Sequence, residues 1–255
     1  GITGVGSYPC SYILIIGSLK ARCRAEKSVF MIKNSVLFEV GLRQGLSQLG
    51  LILDETQILQ TLNFTQEFLR WNQVHNLSAI ESEELFLSTH LLDSFSVVGP
   101  LKDAMISGLL PKEPLIADLG AGGGFPSILL AIALPTVQFV LLESIRKKAA
   151  FLMQVTGRLN LSNVTVEVQR VEDYSAKKPH SVDATISRAF TELTKFVAYS
   201  GPLLRPNGLV FAMKSQKVIE ELKSLSNGWE VIDNTELKIP NLEAYRCLLT
   251  IAAVR

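Results

Sequence analysis

From Asn34 to about Leu110 apolar residues recur at helical spacing, and no convincing strand interrupts them. Asp54 followed by Gln57 has the form of a helix N-cap with its capping-box partner, which predicts a helix over Gln57 to Gln73. Ile58, Leu62 and Leu69 form its apolar stripe. Ser82 opens another expected helix, in which Leu85, Leu92 and Phe95 share a face. After Pro111 and Pro114 the pattern changes to short apolar runs: Leu115 to Leu119, Val137 to Leu142, Val164 to Val168, Ala184 to Ser187 and Leu209 to Met213. Helical stretches separate them, including one from Ile145 to Leu159. Buried strands alternating with helices specify an α/β fold, a mostly parallel sheet wound on both faces. The ending breaks that rhythm. Trp229 to Ile232 and Tyr245 to Val254 are strand-like, and only a polar connection containing Pro240 joins them. No crossover helix fits there, so these two strands are expected to pair antiparallel.

The expected organisation is a disordered extension or start-site artefact over 1–30, a helical N-terminal region over 31–110, and a ligand-binding sheet domain over 111–255. Segment 1–30 precedes the first methionine, Met31, and carries Gly4, Gly6, Pro9 and a basic cluster at Lys20, Arg22 and Arg24. A basic arm for nucleic acid or a targeting peptide is its functional alternative. There is no internal repeat.

Hydrophobic residues make up 47% of the 255 and charged residues 19%, enough apolar material for a core and little case for disorder. The formal charge of +1 excludes a wholly basic nucleic-acid coat protein but leaves room for a local basic patch. Cys10, Cys23 and Cys247 lie far apart without a CxxC pair or a histidine cluster, which argues against a disulfide framework and a zinc site. No apolar run reaches the roughly 18 to 20 residues that span a bilayer. The expectation is a monomeric cytoplasmic protein with no metal and no membrane partner.

Ile116-Ala117-Asp118-Leu119-Gly120-Ala121-Gly122-Gly123-Gly124-Phe125-Pro126 follows the first predicted strand. Glycines there permit a tight turn and close approach of a ligand to the main chain, in the crevice where open α/β sheets bind ligands. Phe125 stands where a dinucleotide fingerprint needs glycine or alanine, and no Gly-Lys-Ser/Thr ending of a P-loop follows. An acidic Asp118 just before Gly120 and Gly122 suits a positively charged ligand better than a pyrophosphate. One strand later, Glu143 places a carboxylate where both ribose hydroxyls of an adenosine can donate to it. These features resemble the class I S-adenosylmethionine-dependent methyltransferases, whose extra antiparallel C-terminal strand also matches the expected ending.

The resemblance narrows with further motifs. Phe68-Leu69-Arg70-Trp71-Asn72, Asn76-Leu77-Ser78 and His90-Leu91-Leu92-Asp93-Ser94 are similar to helical signatures of the bacterial ribosomal RNA small subunit methyltransferase G family, formerly glucose-inhibited division protein B. The glycine loop through Pro126, Lys147-Lys148 with Phe151-Leu152, Arg170-Val171-Glu172-Asp173 and Ser187-Arg188-Ala189-Phe190 extend the likeness from Met31 to the C-terminus. Val171 replaces a common alanine, and Glu143 replaces the aspartate of many members. The resemblance implies a Rossmann-like methyltransferase sheet, S-adenosyl-L-methionine as cofactor, and methylation of N7 of one guanine in 16S ribosomal RNA, free or within the small-subunit particle. A methyltransferase acting on a small molecule is the alternative. It further implies that Gly120, Phe125, Val171, Glu172 and Arg188 contact the cofactor, beside the Asp118, Gly122 and Glu143 already singled out.

Guanine N7 presents a lone pair and has no proton to lose, so no general base is expected among the residues. Arg188 is a candidate for the cofactor's carboxylate, for an RNA phosphate, or for a structural salt bridge. Arg146, Lys147, Lys148, Arg205 and Lys214 are RNA-binding candidates, and Lys217 and Arg188 extend the same expected basic rim. His90 and Asp93 are either a structural pair or an RNA contact. Asn72 and Asn76 hold a loop or read a base, and Trp71 and Phe125 stack a base or fill the core.

Overall fold

The computed structural model of the chain describes residues 32, 35–75, 82–188, 190–216 and 218–254. The expectations for segment 1–30, Asn76, Ser78, Ala189 and Lys217 lie outside them. The helical part comprises α1 (Ser35–Gln48), α2 (Glu55–His75), α3 (Glu83–Phe86), a π-helical turn (Leu87–Leu92), α4 (Asp93–Phe95) and α5 (Val98–Ile106). Both sequence-read caps are in place. The Gln57 N–H donates to Asp54 Oδ1 at 2.8 Å while the Asp54 N–H donates to Gln57 Oε1 at 2.9 Å. Ser82 Oγ accepts from the Leu85 N–H at 3.1 Å.

Leu85 departs from its expected face. Leu92 and Phe95 are buried, whereas Leu85 is 37% exposed. The π-helical turn lies between Leu85 and Phe95 and is wider than an α-helical turn, so a seven-residue step across it no longer returns to the same side.

The sheet follows with β1 (Leu115–Leu119), α6 (Ser127–Ala133), β2 (Gln138–Leu142), α7 (Arg146–Arg158), β3 (Val164–Glu167), α8 (Val171–Lys177), β4 (Val182–Arg188), α9 (Leu193–Ser200), β5 (Leu204–Lys214), α10 (Val218–Leu222), β6 (Trp229–Glu236) and β7 (Cys247–Ala253). Its order is β3-β2-β1-β4-β5-β7-β6. Strands β1 to β5 are parallel, and β7 is antiparallel to both β5 and β6. The strand order reverses between β1 and β4, and crevices form beyond the carboxyl ends of strands at such reversals.

Successive residues of a strand face opposite sides, and β1 shows what that does here. Ile116 joins one core with Phe64, Phe68, Leu92, Ile128 and Phe151, so helices α2 and α4 and the π turn share a hydrophobic interior with one sheet face. Ala117 and Leu119 join the other, with Val171, Tyr174, Phe196 and Val197. The helical part therefore reaches the carboxyl ends of the strands through packing.

Candidate active site

The glycine loop begins where β1 ends. Gly120, Gly122 and Gly124 have φ of 73°, 55° and 89°, a region that L side chains rarely adopt. The Gly120 and Ala121 N–H groups both donate to the Leu142 carbonyl, at 2.9 and 3.2 Å, which fastens the loop to the tip of β2. Glu143, buried just past that tip, completes the fastening. Its Oε2 accepts from the Gly122 N–H at 2.9 Å and its Oε1 from the Ile145 N–H at 2.8 Å. Each oxygen keeps a second lone pair, so the carboxylate can hold the loop and still accept from a hydroxyl. A Cβ on Gly122 would meet only the Gly120 carbonyl, at 3.7 Å; one on Gly120 would overlap the Phe190 ring. The face of Gly122 is thus open to a ligand.

Asp118 lies fully buried beneath this loop, and burial raises its pKa from 3.8 to about 7. The Ser127 hydroxyl and Arg188 oppose that rise, and Glu143 adds to it. Ser127 acts from nearby without a hydrogen bond of ordinary geometry: Asp118 Oδ2 and Ser127 Oγ are both buried and unpartnered. Buried polar atoms without partners are uncommon and mark places where a further group is accommodated.

Phe125 is buried in an aromatic cluster. Its ring lies 5.1 Å from Phe64, 4.9 Å from Phe68 and 5.1 Å from His90, all edge-on, and the Arg188 guanidinium sits 5.2 Å from its centroid. Arg188, at the tip of β4, donates to the Thr89 carbonyl at 2.9 Å and to Asp93 Oδ2 at 3.2 Å. Arg246 approaches the other Asp93 oxygen at 3.6 Å. The salt-bridge alternative for Arg188 is therefore realised, and it ties the helical part to the sheet. His90 Nδ1 lies 2.9 Å from Thr89 Oγ1, and burial together with Arg188 pushes its pKa down to about 3, so its ring is neutral. Val171 is buried and Glu172 exposed in the first turn of α8, beyond the tip of β3.

Comparison with known proteins decides what this arrangement is. Residues 57–249 match the family described as rRNA small subunit methyltransferase G, from α2 through β7. The chain is 45% identical over 213 residues to a ribosomal RNA small subunit methyltransferase G from Polynucleobacter asymbioticus, covering 83% of this chain and 94% of that one. A second, from an Acidovorax species, is 36% identical over 228 residues, covering 88% and 99%. The chain belongs to the rRNA small subunit methyltransferase G family.

In this family member the expected basic rim is only partly assembled. Arg146, Lys147 and Lys148 lead α7 past Glu143, the first two exposed, and none is paired with a carboxylate among the described residues. Lys214, at the tip of β5, is on the right side of the sheet but half-buried, donating to Glu221 Oε2 at 2.6 Å. Arg205 does not belong to the rim. It stands at the start of β5, at the opposite end of the sheet, and its Nη1 donates to both carboxylate oxygens of Asp183, at 2.8 and 2.9 Å. Reading positive residues off the sequence missed that a parallel strand presents its two ends on opposite edges. Trp71 packs beside Phe151, at 5.5 Å, in keeping with the core alternative. Sequence reasoning also gave no role to Ser127, Thr89 or Arg246. Only Phe190 had a signal, as the last residue of the Ser187-Arg188-Ala189-Phe190 motif.

Among the described residues no helix is long and apolar enough to cross a membrane, and no group of three or more His, Cys, Asp or Glu is placed to hold a metal.

Proposed function

We propose that the protein transfers a methyl group from S-adenosyl-L-methionine to N7 of a guanine in 16S ribosomal RNA. The observation that carries this reading is the extent of the family match, which runs through the helical part as well as the sheet. A match to the cofactor crevice alone would leave the acceptor open, and the small-molecule alternative is accordingly not favoured. The same reading places the protein with the ribosome in the cytoplasm.

The crevice fits the cofactor. Gly122 leaves its side open, Glu143 is held by two amides with acceptor capacity to spare, and the unpartnered Asp118 Oδ2 and Ser127 Oγ lie below. When bound, S-adenosyl-L-methionine supplies an electrophilic methyl on a positively charged sulfur. Glu143 would accept from the ribose, Gly122 would admit the cofactor to the main chain, Gly120 would turn the chain against the Phe190 ring, and Val171 with Glu172 would lie by the adenine. Arg188, held by the Thr89 carbonyl and Asp93, would act mainly by fixing the wall of the cleft. Neutral His90 is no proton acceptor that the reaction requires, because N7 attacks with its own lone pair. Catalysis then rests on holding two reactants in line, an effect that supplies up to about 7–11 kcal/mol.

The test is direct. Purified protein, S-adenosyl-L-methionine and either 16S rRNA or small-subunit particles are incubated, and methylated nucleotides are mapped by mass. A single N7-methylguanine in 16S rRNA is expected. Methylation of a small molecule with none of the RNA would overturn the reading.

A further inference from the structure

The charges on α2 and α7 are distributed very unevenly. No Asp or Glu occurs between Ser144 and Val166, so α7 carries Arg146, Lys147, Lys148 and Arg158 with no carboxylate of its own. Beyond Glu55 in its first turn, α2 has one acid, Glu67. That side chain is buried, and its Oε1 accepts from both Arg70, at 2.9 Å, and Arg158, while Gln154 donates to Oε2 at 3.3 Å. Two guanidinium groups thus converge on a single oxygen, and both remain more than half exposed, at 66% and 56%. One buried charge cannot neutralise two exposed ones. The pair keeps a net positive charge in a fixed geometry, with donors left over to face outwards.

The helices are antiparallel: Gln60 reaches the Leu159 carbonyl, Glu67 meets Gln154 and Arg158, and Trp71 lies against Phe151. The last turn of α2 therefore lies by the start of α7, where Arg146 and Lys147 adjoin Glu143 and the glycine loop. Between Lys147 and Arg158 the helix rises about 17 Å. Ala150, Met153, Gln154 and Gly157 are exposed along that length, and a Cβ on Gly157 would meet nothing.

We infer that the exposed face of α7, with the Arg70–Arg158 pair at its far end, is a docking track for the RNA backbone leading to the cleft. The inference rests on the proposed RNA acceptor and extends it to residues outside the crevice. A strand of phosphates suits this face better than a protein does. The cations sit at both ends of a strip of small and uncharged residues, and the strip offers one large exposed apolar side chain, Met153, rather than a cluster of anchors.

The test uses the full chain and a fragment of 16S rRNA. Arg70→Gln with Arg158→Gln is compared with the parent for the dependence of RNA affinity on salt. Removing two phosphate contacts should lower the slope of log K against log salt by about 1.5. The KM for RNA should rise while the affinity for S-adenosylhomocysteine stays at the parent value. Arg158→Lys, which keeps the charge, should retain more of the slope than Arg158→Gln, and this comparison serves if the double variant does not fold. Equal slopes for Arg158→Lys and Arg158→Gln, or a double variant with normal cofactor affinity and unchanged slope and KM, would overturn the track. A parent that binds small-subunit particles but shows no salt-dependent binding of naked RNA would assign the face to a ribosomal protein instead, which also overturns it. Failure of the parent to methylate 16S rRNA would strike the proposed function. The salt slopes, read from binding alone, would still decide the surface.

Discussion

Asp118 and His90 are both buried, both feel the charge of Arg188, and burial has moved their pKa values in opposite directions. Asp118 rises to about 7, so the folded protein keeps a proton that the unfolded chain loses near pH 4; this contribution is full at acid pH and fades as pH climbs to 7. His90 falls to about 3, so its contribution is full above pH 6.5 and fades as pH drops towards 3. Between about pH 4 and 6.5 the two slopes oppose each other. Asp118→Asn should expose the His90 slope, with stability relative to the parent falling as pH is lowered from 6.5 to 4. His90→Gln should expose the Asp118 slope, falling instead as pH rises from 4 to 7, by of the order of 4 kcal/mol. Urea unfolding at four pH values checks both, and parallel curves for the two variants would contradict them. Glu143→Gln has an effect even without ligand, because an amide offers one acceptor oxygen to two backbone donors. It should cost about 1–3 kcal/mol of folding stability as well as cofactor affinity. Normal stability with weakened binding would mean that the loop is not held this way. The glycines and Glu143 were legible because their roles depend on local spacing. Arg188 was open between three roles because its partner Asp93 lies 95 positions away, and no local rule joins them.

At the scale of elements, caps read from sequence are reliable where one short-range hydrogen bond decides them, and Asp54 gives a clean test. It is exposed and far from the crevice chemistry, so Asp54→Ala should lower stability by about 1 kcal/mol and leave S-adenosylhomocysteine binding unchanged. A loss below a few tenths would show that the cap is dispensable in the packed protein. The π-helical turn is the opposite case. It inserts a wider turn where periodicity assumed a uniform helix, and that put Leu85 on the wrong face. Leu92→Ala should accordingly cost about 2–5 kcal/mol, while Leu85→Ala should stay within about 0.5 kcal/mol. Denaturant midpoints separate the two readily; similar losses would restore the shared face.

For the whole molecule, alternation of strands and helices made the doubly wound sheet legible, and the missing crossover made the antiparallel ending legible. The position of β7 between β5 and β6 was not, because hydrophobic pattern says what a strand buries and not which neighbours it takes. Net charge behaved similarly. A total of +1 hides a face without carboxylates, and only the fold brings α2 beside α7. Changing Arg146, Lys147 and Lys148 together to Gln should flatten the salt dependence of RNA binding with little effect on S-adenosylmethionine affinity; an unchanged slope would make these three a solvated helix face. The late strand has a consequence for how the protein is made. Of the sheet's seven strands β7 leaves the ribosome last, yet it supplies the pairing for one edge of β5 and for all of β6. Until it emerges, a nascent chain holds β5 with an open edge and β6 with no partner, a state prone to pairing with other chains. Completion of the sheet therefore waits for β7, and a chain in which β7 fails to dock keeps both an open β5 edge and an unpaired β6.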